Sequence, residues 1–262
     1  MSSVVVSGLT KSYTLEKESL RGRKILLRDR LQQLLRNPIS VLSKSYTEQK
    51  LFFALKNVSF TLERGETLGV IGRNGSGKST LLKLLAGITF PTEGVIKLHG
   101  SVATILEIGA GFHPDLTGRE NMYLTAALHG IERKTLKSIF PEIVRFSQIQ
   151  PFLDIPVKYY SSGMYLRLAF AISTAHRIQS DILLIDEVFA IGDLSFQQKS
   201  LKRINELVKN DNKTVIFVSH DLTVLQKLCK RSLWLEKGEI KMLGMTKEVI
   251  ENYIKSSLRT DS

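Results

Sequence analysis

The stretch Leu68-Gly69-Val70-Ile71-Gly72-Arg73-Asn74-Gly75-Ser76-Gly77-Lys78-Ser79-Thr80-Leu81-Leu82 decides the fold. A short apolar strand runs straight into the pattern G-x-x-x-x-G-K-S/T at Gly72 to Thr80, and the helical run Leu81-Leu82-Lys83-Leu84-Leu85 follows at once. Strand, glycine-rich loop and helix in that order make a phosphate cradle. Gly72, Gly75 and Gly77, with Asn74 and Ser76 between them, let backbone N–H groups turn inward around phosphate oxygens, and the helix N-terminus adds positive potential. Lys78 is placed to reach the β and γ phosphates, while Ser79, followed by Thr80, offers a hydroxyl to Mg²⁺. The ligand this implies is ATP or a related triphosphate.

Three further segments downstream belong to the same chemistry. In ILLIDEVFAIGD, Ile182 to Asp193, an apolar strand ends in the adjacent carboxylates Asp186 and Glu187. A buried parallel strand delivers such acids to its C-terminal edge, where open α/β sheets bind ligands. Asp186 would hold Mg²⁺, and Glu187 would orient or deprotonate the attacking water. Thr214 to Asp221, TVIFVSHD, is a second strand that brings His220 to that edge, where an imidazole can hydrogen-bond a γ-phosphate. In YSSGMYLRLAFAIS, Tyr160 to Ser173, a Ser-Ser-Gly turn opens an amphipathic helix and makes a second anion site. One active site has no need of two phosphate-binding helix ends.

Around these motifs, strand patterns at Phe53 to Leu62, Thr67 to Ile71, Val95 to Leu98 and Val102 to Leu106 alternate with a helix from Lys78, which predicts an α/β core. Thr117 to Arg177 reads as almost wholly helical, strands resume at Asp181 to Ile185 and Thr214 to Val218, and Ser232 to Glu236 and Glu239 to Leu243 precede a closing helix at Lys247 to Lys255. At the start, a strand at Val4 to Leu9 and Lys11-Ser12-Tyr13 lead into a stretch of different character. Thr14 to Lys50 holds nine basic and four acidic residues, a net of +5, and Lys24 to Arg36 has the spacing of a short amphipathic helix stopped by Asn37-Pro38. It reads as an insertion between strands.

Composition sets the outer limits. The chain has 262 residues, 43% of them hydrophobic and 24% charged, which excludes a disordered or membrane-embedded chain, and no segment approaches the roughly 18 apolar residues of a spanning helix. MSSVVVSGL lacks the features of a secretory signal, so the expected address is the cytoplasm. The single cysteine, Cys229, excludes an internal disulfide framework and a cysteine zinc site. A net charge of +12 calls for an acidic partner, whether nucleotide, nucleic acid or anionic membrane surface.

In order and spacing the four motifs resemble the nucleotide-binding subunit of ATP-binding cassette (ABC) transporters, over nearly the whole chain. The resemblance implies a single nucleotide-binding domain: an α/β fold with a P-loop NTPase core of ABC type at 1–106 and 178–262, an antiparallel β edge, a helical subdomain at 107–177 and the basic insertion at 14–50. It also accounts for the second anion site, since in that family two subunits sandwich two ATP molecules head to tail. Ser162 and Gly163 would then face ATP held by the partner, Asp193 would lie in the loop crossing the dimer interface, and His220 would be the switch histidine. Tyr13, 59 residues before Gly72, takes the place of the aromatic ring that stacks on adenine.

Two departures narrow the match. Tyr160-Ser161-Ser162-Gly163-Met164 replaces the common Leu-Ser-Gly-Gly-Gln, and Leu106 to Asn121 has no glutamine for the metal, which leaves Glu107 as the nearest candidate ligand. With the insertion after Tyr13, they are similar to the branch that exports lipid-linked cell-surface polysaccharides such as O-antigen, capsule and teichoic acid, in the short form without a C-terminal glycan-binding domain. The resemblance implies an ATPase at the cytoplasmic face of the membrane, paired with a second nucleotide-binding subunit and a multi-span permease, with no nucleic acid partner. The basic insertion would meet the phosphate of the lipid-linked glycan or the anionic leaflet, or be a solvated surface helix. An ABC subunit for a lipid or drug, and an ABC-type regulator that binds ribosomes or nucleic acid, are the other readings.

Overall fold

The strands at 67–71, 182–186 and 214–218 are near-continuous apolar runs because both their faces are covered, whereas the edge strand at 102–105 is only partly buried. The computed structural model describes residues 2–15, 50–105, 109, 111–128, 130–175, 180–186, 193–210 and 213–260. Its larger sheet has the order β5 (Val102–Ile105), β6 (Ile182–Asp186), β7 (Thr214–Val218), β3 (Thr67–Ile71), β8 (Arg231–Glu236), β9 (Glu239–Met245). All pairs are parallel except β8 with β9, which are joined by a tight turn. A smaller antiparallel sheet has the order β2 (Lys50–Glu63), β1 (Ser2–Leu15), β4 (Glu93–Leu98). The fold is α/β with an antiparallel second sheet.

Helix α1 (Lys78–Leu85) lies between the two sheets. Its Leu81, Leu82 and Leu85 join Val4, Val6 and Leu9 of β1, Leu55 and Phe60 of β2, and Val70, Ile216 and Val218 of the parallel sheet in one apolar layer. Each such side chain contributes about 1.5–3 kcal/mol by burial. The opposite face of the parallel sheet is covered by α5 (Leu194–Asn210), α6 (Leu222–Leu228) and α7 (Thr246–Thr260), through Phe196, Ile204, Leu225, Val249 and Ile250. Between β5 and β6 the chain forms α2 (Gly118–Leu128), α3 (Arg133–Ser147), two short 3₁₀ turns and α4 (Ser162–Ala175). These helices own a separate apolar cluster of Met122, Leu136, Ile143, Ile149, Leu168 and Ile172.

Sequence spacing marks Thr67–Ile71 and Thr214–Val218 at the bounds the structure shows. The N-terminal hairpin differs. Strand β1 does not stop at Leu9 but continues to Leu15, and Tyr13, Thr14 and Leu15 pair with Phe52, Leu51 and Lys50. Thr14, Leu15 and Lys50 are therefore hairpin arms, and the basic stretch joins them at the tip. The helix expected at Lys24 to Arg36 lies outside the described residues, as does most of the stretch. Helices α5 and α6 are additional to the elements the sequence pattern predicts, and the closing helix runs farther than Lys247 to Lys255.

Candidate nucleotide site

Register decides which residues meet. Val70 of β3 and Asp186 of β6 are both level with Val218 of β7. The chain leaving β3 enters the Gly72–Thr80 loop, the chain leaving β7 carries Ser219 and His220, and β6 ends on Asp186 itself. Three strands adjacent in space thus deliver the loop, the carboxylate and the imidazole to one sheet edge.

The loop is built to face an anion. Lys78 is only 5% exposed and donates to the carbonyls of Gly72 (2.8 Å) and Arg73 (3.2 Å), which folds its amine back over the loop. Gly77 opens α1 at φ +106, and a Cβ there would stand 2.5 Å from the Ala54 carbonyl oxygen, so only glycine fits. The loop is braced from behind: Gly238 N–H donates to the Ser76 carbonyl, and Lys56 N–H to the Gly238 carbonyl. Among the described residues no side chain caps α1, and its first turn holds no acid, so its N–H groups are left for a ligand. Ser76 Oγ is buried with no hydrogen-bond partner there. Ser79 is exposed one residue into the helix. An uncapped helix end, a partnerless hydroxyl and an exposed one beside it fit a phosphate and its counter-cation.

The starts of α2, α5 and α6 are closed by their own side chains, whereas α3, like α1, has no side-chain cap. Thr117 and Glu120 form a reciprocal capping box on α2, with Glu120 accepting from the Thr117 N–H and hydroxyl at 2.8 Å. Asp221 caps α6 by accepting from Thr223 and Val224, and Ser219 Oγ accepts the Asp221 N–H at 3.0 Å, which pins both sides of exposed His220. Asp193 caps α5: its carboxylate accepts from Phe196 N–H and the Ser195 hydroxyl at 2.9 Å and from Arg167 at 2.8 Å. Those contacts, the Phe196 N–H foremost, hold its carboxyl below the usual aspartate range.

The Ser-Ser-Gly turn stands apart, on the helical unit. Ser161 precedes α4 and its Oγ accepts the Met164 N–H at 3.2 Å, while Ser162 is exposed and Gly163 half-buried at the helix start. Of the two serines of the turn, Ser161 is the one whose hydroxyl caps the helix. Tyr13 is 42% exposed, with the Lys11 ammonium 5.0 Å from its ring centre, and Phe52 and Phe53 on the facing strand are exposed aromatics of the same hairpin. Glu187 and Glu107 lie outside the described residues.

The sequence profile of the ABC transporter family matches residues 55–190, from β2 through the loop after β6. The chain belongs to the ABC transporter family. The O-antigen export system ATP-binding protein RfbB of Klebsiella pneumoniae is 45% identical over 202 residues, covering 77% of this chain and 81% of that protein. RfbB of Myxococcus xanthus is 38% identical over 97% of this chain, which spans 56% of that longer protein. The teichoic acids export ATP-binding protein TagH of Bacillus anthracis is 44% identical over 77% of this chain and 36% of its own length. A dimeric ATP-binding cassette solved in a post-hydrolysis state with ADP and Pi superposes with a TM-score of 0.69 at 21% identity, covering 93% of this chain and 98% of that one. The likeness establishes the ABC cassette fold: a P-loop core, a second antiparallel sheet and inserted helices.

Proposed function

We propose that the chain is the ATP-hydrolysing subunit that powers export of a lipid-linked cell-surface polysaccharide through a separate transmembrane subunit. The observation that carries ATP hydrolysis is the register of β3, β6 and β7, which gathers the phosphate loop, Asp186 and His220 at one sheet edge. The cargo rests on relatives named for O-antigen and teichoic acid export. The partner subunit and a station at the cytoplasmic face of the membrane rest on the same relatives. No helix among the described residues is long and apolar enough to cross a membrane.

Within this reading the Gly72–Thr80 backbone N–H groups and Lys78 hold the β and γ phosphates, and Tyr13 stacks on the adenine. Ser79, Asp186 and Glu107 are the candidate ligands of Mg²⁺, which supplies charge neutralisation on the phosphates when bound. Glu187 orients the attacking water and takes its proton, and His220 donates to the γ-phosphate. Ser161, Ser162 and Gly163 face the ATP of a second copy, which makes the working unit a dimer. ATP closes that dimer, closure moves the membrane subunit, and hydrolysis reopens it. The basic stretch Glu16 to Gln49 faces the phosphate of the glycan carrier or the anionic leaflet, each cation adding about 1 kcal/mol near such a surface.

The test is recovery of tagged chain from detergent-solubilised native membranes, with partners identified and ATPase activity compared in wild type and Glu187→Gln. A multi-span membrane protein, with turnover lost in the variant, is the expected result. The charge of +12 favours a second reading, an ABC-type regulator on nucleic acid, and recovery of ribosomes or nucleic acid instead would establish it.

A further inference from the structure

Strands β5 and β6 end side by side, Ile105 level with Ile185, and a loop leaves the sheet from each. One turn of α4 reaches both Gly109 and Asp193. Tyr165 Oη donates to the Gly109 carbonyl at 2.9 Å, and its ring meets that of Phe112 edge-on with centres 5.0 Å apart. Two residues later, Arg167 donates to Asp193 at the end of the other loop. The fit around Tyr165 is tight, since Gly109 sits at φ +87 and a Cβ there would lie 2.4 Å from Tyr165 Cε1. This turn stands directly behind the helix end read above as facing ATP: the Tyr165 N–H donates to the Ser161 carbonyl at 3.0 Å.

Packing alone does not call for the hydroxyl. A phenylalanine would keep the ring contact with Phe112, and the Gly109 carbonyl already accepts the Phe112 N–H at 3.1 Å. What the hydroxyl adds is a fixed spacing between the loop and α4. Partial burial pushes the phenol's pKa up, so it stays a donor across the physiological range.

We propose that Tyr165 is a positioning residue for ATP hydrolysis: its bond to Gly109 fixes the placement of Ser161–Gly163 against the phosphate they read. The proposal rests on the reading that Ser161–Gly163 face an ATP phosphate. Tyr165 acts through that helix end and touches no reacting atom.

The test compares the full chain as wild type, Tyr165→Phe and Gly163→Asp, measuring kcat and KM for ATP, binding of a fluorescent ATP analogue, and melting temperature. The space beside Gly163 admits a side chain, its Cβ meeting only Ser161 Oγ at 3.9 Å, so that variant keeps the fold. Tyr165→Phe is expected to lower kcat about five- to tenfold while KM, analogue binding and melting stay put. Hydrolysis lost in Gly163→Asp but unchanged in Tyr165→Phe overturns the proposal alone. Hydrolysis unchanged in both overturns the reading of Ser161–Gly163 and the proposal with it. A Tyr165→Phe variant in which melting and analogue binding fall together with kcat has only lost structure, which also overturns it.

Discussion

The parallel sheet and the helical unit hold their functional residues by different means. In the sheet, backbone ladders put Asp186 and Val70 level with Val218, so the site is assembled by the same hydrogen bonds that make the core. In the helical unit, Ser161–Gly163 ride on α4, which packs with α2 and α3 in their own cluster and sends Phe170 into the apolar cluster beneath the parallel sheet. Its polar ties to the sheet side run through side chains: Tyr165 to Gly109, Arg167 to Asp193, Lys199 of α5 to the Phe146 carbonyl, and Arg203 of α5 to Glu142 of α3 and the Thr174 carbonyl of α4. A ladder admits one register and is rigid. A few side-chain ties can slip or re-form, which suits a part proposed to approach and leave a second copy.

The largest expected effect is at the rigid edge. Lys78→Ala and Glu187→Gln should each lower ATP turnover about 10²- to 10³-fold, the first by losing phosphate contacts and the second with ATP still bound. Steady-state hydrolysis beside a binding assay separates the two. Next come the two cores. Leu82 lies in the layer between the sheets and Ile143 in the helical cluster, both without exposed surface. Truncating either to alanine should cost about 2–5 kcal/mol. The outcomes should still differ: Leu82→Ala weakens ATP binding, whereas Ile143→Ala spares binding and loses hydrolysis. Equal loss of binding in both variants would break the comparison, because the helical unit would then be part of the phosphate cradle's support.

A smaller effect attaches to the cap of α4. Ser161→Ala should destabilise the helix start by about 1 kcal/mol and lower hydrolysis more than binding. The smallest is a pH effect at the junction. The Asp193 carboxyl is held low by the Phe196 N–H, Ser195 and Arg167. Its contribution to stability is therefore complete above the unfolded aspartate value of about 3.9 and is lost as pH falls through the lower folded value. The melting difference between wild type and Asp193→Asn should be flat from pH 5 to about 8 and narrow only in stronger acid. A difference that changes near neutral pH would place another titrating group at this junction.

The two regions were also unequally legible in the sequence. Thr67–Ile71 and Thr214–Val218 are continuous apolar runs buried on both faces, so composition alone marks their ends, and a motif follows each. The hairpin extension was not legible, because Tyr13 to Leu15 pair with a partner almost forty residues away and carry no alternating pattern of their own. Helix α5 has apolar residues at Leu194, Phe196, Leu201, Ile204 and Val208, spacing that in retrospect is helical, with Asp193 as its cap. The ties that hold α4 could not be read from the chain at all. Tyr165 and Gly109 are 56 positions apart and Arg167 and Asp193 are 26 apart, and only folding brings them together.

The central claim is that the helix end Ser161–Gly163 reads ATP held by the phosphate loop of a second copy. Its most direct test is the mass in solution, by light scattering with and without ATP, of Glu187→Gln and of Glu187→Gln combined with Gly163→Asp. ATP should convert the first from monomer to dimer and leave the second monomeric although each chain still binds ATP. A double variant that dimerises with ATP, or that no longer binds ATP as a monomer, would contradict it.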